Sequence, residues 1–112
     1  MELKDVVIQA ILERKGMFVK DYDCMDITPF MDDIIVVTAN NLRQNNAIAQ
    51  NIKEKVKEAG FDVDIRQEGD AHSPWILLDL GSVVVNLFVK ETRQVYNLDR
   101  LYADCPVTSY DL

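Results

Sequence analysis

The run Asp33-Ile34-Ile35-Val36-Val37-Thr38 is the stretch of this sequence that decides the fold. Residues 34–37 are all apolar and β-branched, and such side chains favour extended backbone. A strand with one solvent-exposed face alternates apolar and polar residues, whereas a strand covered on both faces is apolar throughout. We therefore predict a central strand with other elements packed on both of its sides.

Upstream of this run, the sequence predicts a helix and a short strand. Apolar residues recur at helical spacing from Leu3 to Ile11, and Gly16 marks the end of that helix. A strand is expected at residues 17–22. Residues 26–30 are expected to form a turn or a single helical turn, because Pro29 limits the length of any helix there.

Downstream of the run, the clearest helix of the chain is predicted. Asn40 or Asn41 caps it, and Gln44 follows Asn41 at the spacing of a capping box. Gly60 ends it. The apolar stripe of this helix consists of Ile48, Ala49, Ile52, Val56 and Ala59.

The second half of the chain is predicted to be rich in strands. Residues 75–80 and 83–89 are apolar runs separated by Gly81-Ser82, and a two-residue connection that begins with glycine is a strong hairpin signal. Val63 and Ile65 alternate with polar residues, which predicts a half-exposed strand at residues 62–66.

The C-terminal region gives weaker signals. A turn is expected at residues 91–93, and Asn97 is placed to cap a short helix at residues 98–103. Residues 105–112 show no pattern and are expected to form a loose tail. The whole order predicts one domain over residues 1–112, of the α/β class, with a mixed sheet flanked by helices.

The net charge of the 112 residues is −7. Phosphate binding needs clustered Lys and Arg, so this charge argues against a direct nucleic-acid site. A basic protein is a compatible partner, because opposite charges speed encounter and set orientation. Residues 61–112 hold most of the excess, with 9 acidic against 4 basic side chains. That excess serves either solubility or the steering of a partner, and the sequence leaves both open.

Several classes of site are disfavoured because their parts are missing. Cys24 and Cys105 lack the spacing of a zinc site, so we expect reduced thiols and no bound metal. No nucleotide-binding glycine motif occurs, so no cofactor is expected. The only histidine, His72, lies beside Ser73 in a polar loop without a nucleophile elbow, and we expect it to be solvated rather than catalytic.

The N-terminus has no apolar signal segment. In addition, no apolar run approaches the roughly 18–20 residues that span a membrane. We therefore expect no membrane association and a cytoplasmic location.

Asp62 and Asp64 are the one pair that fits an enzymatic alternative. Two carboxylates at alternate strand positions point the same way and could hold Mg²⁺, as in nucleotidyltransferases. Those enzymes place a Gly-Ser turn before the carboxylate pair, whereas Gly81-Ser82 comes after it here. The simpler interpretation is that both aspartates lie on the solvent-exposed face of a strand.

The strand that begins at Trp75 carries a different ambiguity. Trp75, Leu77 and Asp79 should share one face, and Ile76, Leu78 and Leu80 the other. Either both faces are buried, or one of them is a protein-binding surface in which Trp and Leu side chains act as anchors. Asn86 is the lone polar residue of the next strand, and it either faces solvent or makes a buried hydrogen bond.

An ordered set of segments carries a resemblance to a known family. They are Glu68-Gly69, WILLDLG from residue 75, VVVNLF from residue 83, Glu91-Thr92-Arg93 and YNLDRLYAD from residue 96. The central run precedes a helix with Arg43 near its start, and Ala49 and Gly60 fall where the family places them. With these features, the sequence resembles the Iojap/RsfS family of ribosomal silencing factors over roughly residues 3–105.

This resemblance implies a fold similar to that of nucleotidyltransferases without their catalytic residues. It implies binding to a basic protein on the intersubunit face of the large ribosomal subunit, which blocks joining of the small subunit and lowers translation when nutrients are scarce. It also implies a homodimer when the protein is free. We expect the contact patch to include Trp75, Leu77, Asp79 and Leu80, together with Arg43 and Asn86.

The sequence departs from the family pattern at three places. Thr38-Ala39-Asn40-Asn41 stands where the family usually has Thr-Gly-x-Ser. Asn86 stands where the family usually has His, and Ser82 where Asp is common. Any role of the usual histidine is therefore not carried over to Asn86.

Overall fold

The computed structural model describes residues 1–26 and 31–110. In chain order the elements are α1 (Leu3–Glu13), β1 (Met17–Asp23), β2 (Asp33–Ala39), α2 (Leu42–Glu58), β3 (Arg66–Glu68), β4 (Trp75–Asp79), β5 (Val83–Val89), α3 (Lys90–Tyr96), α4 (Leu98–Leu101) and β6 (Val107–Ser109). The strands form one sheet in the order β3-β4-β5-β2-β1-β6. β2 and β5 are parallel and the other neighbours antiparallel, which confirms the mixed sheet flanked by helices.

β2 lies inside the sheet with structure on both faces, as predicted. Every residue of β2 is buried. Ile35 and Val37 belong to the larger core, which α1 and α2 cover. Ile34 and Val36 belong to a second core on the opposite face. The unbroken apolar run is needed because alternate side chains enter different cores.

The start of α2 is fixed by the predicted cap. The Asn41 side chain accepts a hydrogen bond from the Gln44 backbone N–H at 2.8 Å. The Gln44 side chain accepts from the backbone N–H of Asn40 rather than Asn41, and it donates to the carbonyl oxygens of Arg14 and Lys15. One glutamine therefore joins the first turn of α2 to the end of α1.

The hairpin of β4 and β5 forms as predicted. Its ladder runs from the pair Trp75 and Phe88 to the pair Asp79 and Val84. The Leu80 backbone N–H donates to the Val83 carbonyl oxygen at 2.9 Å, which leaves Gly81 and Ser82 in the connection.

The strand predicted at residues 62–66 is wrong in its position, since β3 begins only at Arg66. Arg66 pairs with Asp79, the last residue of β4, so residues 63–65 extend past the hairpin turn and find no partner. The predicted alternation persists without a ladder. Val63 and Ile65 are half-buried against the larger core, while Asp62 and Asp64 are exposed.

The turn predicted at residues 91–93 is also wrong, because α3 occupies residues 90–96. Its one buried residue is Arg93, while Val95 is 75% exposed, so the helix has no apolar stripe to reveal it. α4 forms within the predicted helix but ends at Leu101. Asn97 precedes it in the left-handed conformation without a side-chain cap.

The expectation of a loose tail is wrong for residues 105–109. β6 adds an antiparallel edge strand to β1, and Cys105 is buried. All three residues of β6 are exposed, so hydrogen bonds rather than apolar burial hold it, and no hydrophobic pattern predicts it. Of the turn expected at residues 26–30, residues 27–30 lie outside the described residues.

Candidate partner-binding surface

The candidate surface lies at the β4 side of the sheet, on the face opposite α1 and α2. Trp75, Leu77 and Asp79 are half-buried on this face of β4. Their cross-strand neighbours in β5 are Phe88, Asn86 and Val84 respectively. We call the half-buried set Trp75, Leu77, Asp79 and Val84, with the Asn86 that supports it, the β4 surface.

Trp75 is held on three sides. Its ring stacks on Phe88 with centroids 5.0 Å apart, and Tyr96 of α3 lies against it at 4.5 Å. The indole Nε1 donates a hydrogen bond to Asn86 Oδ1 at 3.0 Å. Of the two alternatives for Asn86, the buried hydrogen bond is the one observed, whereas Trp75 as a residue is half-buried. A rigid, partly exposed tryptophan is well suited to anchor an interface.

A small cavity opens beside the Trp75 ring. It holds about 150 Å³ and is lined by Glu68, Gly69, Trp75 and Leu77. Gly69 has a φ of +87°, and a Cβ there would lie 2.6 Å from the Trp75 carbonyl oxygen. Only glycine therefore lets the β3–β4 loop close against the strand. The Glu68-Gly69 segment thus shapes one wall of the surface.

The charged residues along the β4 surface are mostly acidic. Glu68 pairs with Leu77 across β3 and β4 and is exposed. Asp79 is half-buried and accepts a hydrogen bond from the Gly81 N–H at 2.9 Å, while Arg66 stands opposite it. Glu68 and Asp79 against Arg66 give the apolar centre an acidic rim of net charge −1, and such a rim favours a basic protein surface.

Arg93 positions α3, and sequence analysis did not single it out. Its guanidinium is buried and donates to both carboxylate oxygens of Asp99, at 3.0 and 2.9 Å. It also donates to Thr38 Oγ1 at 2.8 Å and to the Phe18 carbonyl oxygen. The only signal for this role was the Glu91-Thr92-Arg93 segment. These bonds fix α3 in place, and α3 in turn holds Tyr96 against Trp75.

The electrostatics of this network follow from burial and pairing. Hydrogen bonds from Arg93 lower the pKa of Asp99, and Tyr22 adds a further hydrogen bond from its hydroxyl at 2.7 Å. Burial raises the pKa of Tyr22, reinforced by the same carboxylate. Asp99 is therefore ionised and Tyr22 neutral at ordinary pH, so the network keeps its donors and acceptors matched.

A second, larger cavity of about 630 Å³ borders the Arg93 network. Lys20, Lys90 and Arg93 are among its lining residues, and Asp99 is its one acidic lining residue. It shares no lining residue with the cavity at Trp75. The basic residues that line the larger cavity therefore lie apart from the acidic rim of the β4 surface.

Two residues expected in the site lie elsewhere. Leu80 is 3% exposed and belongs to the core under α1 and α2, since it points to the opposite face from Leu77. Arg43 is exposed in the first turn of α2, the helix that covers that opposite face. The structure brings Trp75, Leu77, Asp79 and Asn86 together on one face and places Leu80 in the core of the other face, which the Arg43-bearing helix covers.

The candidates for catalysis remain dispersed. Asp62 and Asp64 are exposed on the unpaired segment before β3. His72 is exposed, and its backbone N–H donates to Asp70 Oδ1 in a turn that Ser73 closes. Within residues 1–26 and 31–110, no group of three or more His, Cys, Asp or Glu side chains could hold a metal ion.

A helix long and apolar enough to cross a membrane is likewise absent from the described part of the chain.

Comparisons with known proteins agree with the arrangement of these elements. The profile of a family described as "Ribosomal silencing factor during starvation" matches residues 1–112. Ribosomal silencing factor RsfS of Halalkalibacterium halodurans is 32% identical over 110 residues, which cover 98% of this chain and 93% of that protein. A crystal structure of a Chromobacterium violaceum protein superposes with a TM-score of 0.82 at 33% identity, covering 92% of this chain and 88% of that one.

A more distant similarity reaches a eukaryotic protein. The mouse "mitochondrial assembly of ribosomal large subunit protein 1" is 25% identical over 75 residues, which cover 65% of this chain and 33% of that protein. The name of the Halalkalibacterium halodurans protein refers to the ribosome, and that of the mouse protein to the large ribosomal subunit.

Proposed function

Since the chain belongs to the RsfS family of ribosomal silencing factors, we propose that it silences translation by binding the large ribosomal subunit through the β4 surface. The occupant of this surface is a basic protein on the intersubunit face. The bound protein excludes the small subunit sterically, and this mechanism requires affinity and position but no chemistry.

The observation that carries this proposal is the half-open Trp75, packed against Phe88 and Tyr96 and surrounded by Leu77 and an acidic rim. Energetically dominant interface residues are enriched in Trp and Tyr and sit in well-packed settings. The net charge of −7 adds a long-range attraction to a basic partner.

The first test is co-sedimentation of purified protein with large ribosomal subunits. Trp75→Glu is expected to weaken binding by about 30-fold or more, the effect of losing a residue worth roughly 2 kcal/mol. Val107→Glu is the matched control, because Val107 is 50% exposed in β6, at the opposite end of the strand order from β4, and gains the same charge there. Circular dichroism of both variants establishes that they are folded. Binding by folded Trp75→Glu equal to that of wild type would refute this surface.

Arg43 is tested in the same assay. Its position on α2 predicts that Arg43→Glu binds like wild type. A loss comparable to that of Trp75→Glu would mean that the contact extends beyond the β4 surface to the start of α2.

The second test concerns charge. Asp79→Lys and Asp62→Lys make the same change in net charge, but only Asp79 belongs to the β4 surface. We expect the association rate to fall more for Asp79→Lys, and to fall for wild type as salt rises. Equal effects of the two variants would show that net charge alone steers the encounter.

Steric exclusion is tested by mixing the two ribosomal subunits and following their joining by light scattering. Wild type is expected to inhibit joining, and each variant to lose inhibition in proportion to its loss of binding. A variant that binds the large subunit fully without inhibiting joining would contradict the steric mechanism.

For the free protein we propose a homodimer that covers the same apolar surface. Tyr96 is 53% exposed beside Trp75, so a second copy would shield both rings. Sedimentation equilibrium of wild type and Trp75→Glu checks this. A dimer that persists unchanged in the variant would place the dimer contact elsewhere.

A further inference from the structure

The two cysteines of the chain meet in space although 81 positions separate them in the sequence. Cys24 directly follows β1, and Cys105 lies between α4 and β6. Both are buried, with 0% and 4% of their surfaces exposed, and their Sγ atoms are 3.0 Å apart. The two sulfur atoms need to approach by only about 1 Å to reach the length of a disulfide bond.

The sheet register explains this approach. β1 and β6 pair Lys20 with Ser109, Asp21 with Thr108 and Tyr22 with Val107. Beyond this ladder, the Asp23 backbone N–H donates to the Pro106 carbonyl oxygen at 2.8 Å. The next step of the same register sets Cys24 directly opposite Cys105.

The position of the pair in the hydrogen-bond pattern also suits a covalent bond. Hydrogen-bonded and non-hydrogen-bonded pairs alternate along an antiparallel ladder. Because Asp23 and Pro106 form a hydrogen-bonded position, Cys24 and Cys105 occupy a non-hydrogen-bonded one. Opposite Cα atoms at such positions are about 4.5 Å apart, within the range of about 4.4–6.8 Å that disulfides span.

We propose that Cys24 and Cys105 form a thiol–disulfide exchange site, which a low-molecular-weight disulfide such as glutathione disulfide oxidises to an intramolecular bond. One cysteine sulfur attacks the disulfide and releases one glutathione. The second cysteine sulfur then attacks the mixed disulfide, forms the Cys24–Cys105 bond and releases the second glutathione. Two electrons and the two thiol hydrogens pass to the two glutathione molecules.

Access to the pair comes from the C-terminal side. β6 is an edge strand of three exposed residues, and it pairs at three positions only. Segments with few buried contacts open first, so fraying of β6 exposes Cys105. Burial raises the pKa of Cys24, reinforced by the hydrogen bond with Cys105, and thus disfavours its thiolate. Because fraying of β6 exposes Cys105 before Cys24, Cys105 is the first nucleophile and Cys24 the resolving thiol.

The bond closes the second core covalently. Cys24 and Cys105 pack there with Tyr22 and Phe88, and Trp75 lies against the same cluster. Oxidation thus ties the segment that includes α4 and β6 to the end of β1, on the face that bears the β4 surface. The cross-link removes conformational freedom mainly from the unfolded chain, and long loops gain the most.

The experiment uses the full chain with glutathione disulfide near pH 8, followed by alkylation under denaturing conditions and intact mass measurement. Wild type is expected to lose two hydrogens, to take up no alkylating agent and to keep no glutathione. Its melting temperature is expected to rise by about 10 °C and to return on addition of a reductant.

Cys24→Ala and Cys105→Ala serve as controls. Each is expected to stop at a single glutathione adduct, with slower modification of Cys105→Ala because it keeps only the more deeply buried thiol. Three results would overturn the proposal: glutathione adducts that persist on wild type, a disulfide that joins two chains, or native thiols that stay unreacted while the denatured protein is modified.

Discussion

The sheet face under α1 and α2 is packed almost entirely with aliphatic side chains, whereas the face under α3 and α4 carries aromatic rings, two thiols and a buried arginine. The first face is covered by 28 helical residues in two regular helices. The second is covered by two short helices and an edge strand, which leave the β4 surface partly open. One face therefore stabilises the fold, and the other offers a surface to a partner.

The polar bonds of the two faces differ in the same sense. Under α1 and α2, buried Asn51 donates to the Ala10 carbonyl oxygen and Asn45 to that of Leu87, so each bond joins α2 to a single neighbouring element. Under α3, Arg93 joins residues from β1, β2 and α4 in one network. The second face thus depends on a few directional bonds, while the first depends on many interchangeable apolar contacts.

The largest effect is expected from a pair of substitutions on one strand. Leu78 is fully buried under the helices, and Leu77 is half-buried on the β4 surface. Leu78→Ala should lower the free energy of unfolding by about 3 kcal/mol, and Leu77→Ala by less than about 1 kcal/mol. Denaturant unfolding measures both. Equal losses would mean that the two faces contribute alike to stability, and the comparison would fail.

The next effect concerns the network. Arg93→Met leaves Asp99 without its cation and Thr38 without its donor, at an expected cost of about 2–3 kcal/mol in unfolding free energy. Arg93→Lys should recover little, because one ammonium group cannot reproduce the fork of the guanidinium. Thermal unfolding of both variants tests this. Full recovery by lysine would show that charge alone, without the geometry, holds α3 in place.

Sequence reasoning succeeded on the first face and was partial on the second for a physical reason. Helical spacing from Leu3 to Ile11, the Asn41 cap and the apolar run at β2 each carry a local signal that burial makes obligatory. α3 and β6 carry no such local signal. The buried Arg93 holds α3 in place, and backbone pairing with β1 holds β6. Such elements depend on partners distant in the sequence, which periodicity does not reveal.

The candidate site divides in the same way. Alternation placed Trp75, Leu77 and Asp79 on one face, and the structure agrees. The same rule assigns Leu80 to the opposite face from Trp75, so including Leu80 in the contact patch conflicted with the alternation, and the structure buries it. How α2 packs, and hence which sheet face the helix that carries Arg43 covers, depends on tertiary contacts that a single sequence does not contain.

A smaller effect is expected from a charged cluster on the aliphatic face. Asp21 and Asp33 are buried there, and Lys4 Nζ lies 4.0 Å from a carboxylate oxygen of each. Burial, reinforced by Asp33, raises the pKa of Asp21 from 3.8 to about 7. Between these two values the unfolded chain loses a proton that the folded protein keeps. Stability therefore falls as pH rises through this window.

Asp21→Asn should remove that pH dependence and leave the protein more stable than wild type at pH 8 by roughly 2 kcal/mol. Denaturant unfolding at a series of pH values from 4 to 8 measures the slope. If the variant keeps the slope of wild type, another group titrates in the window and this assignment is wrong.

The smallest effect belongs to Asn86, the buried acceptor behind Trp75. Asn86→Leu leaves the indole N–H without its partner and should cost about 1 kcal/mol in unfolding free energy. Asn86→His should cost less, because a neutral ring nitrogen can accept the same bond. Trp75 is the only tryptophan, so its fluorescence reports this site alone. If the emission spectrum of Trp75 shifts in Asn86→Leu but not in Asn86→His, asparagine and histidine accept the indole hydrogen bond equally well at this position. Identical spectra in all three proteins would mean that the bond does not hold the ring, and Phe88 and Tyr96 alone would then fix the anchor of the β4 surface.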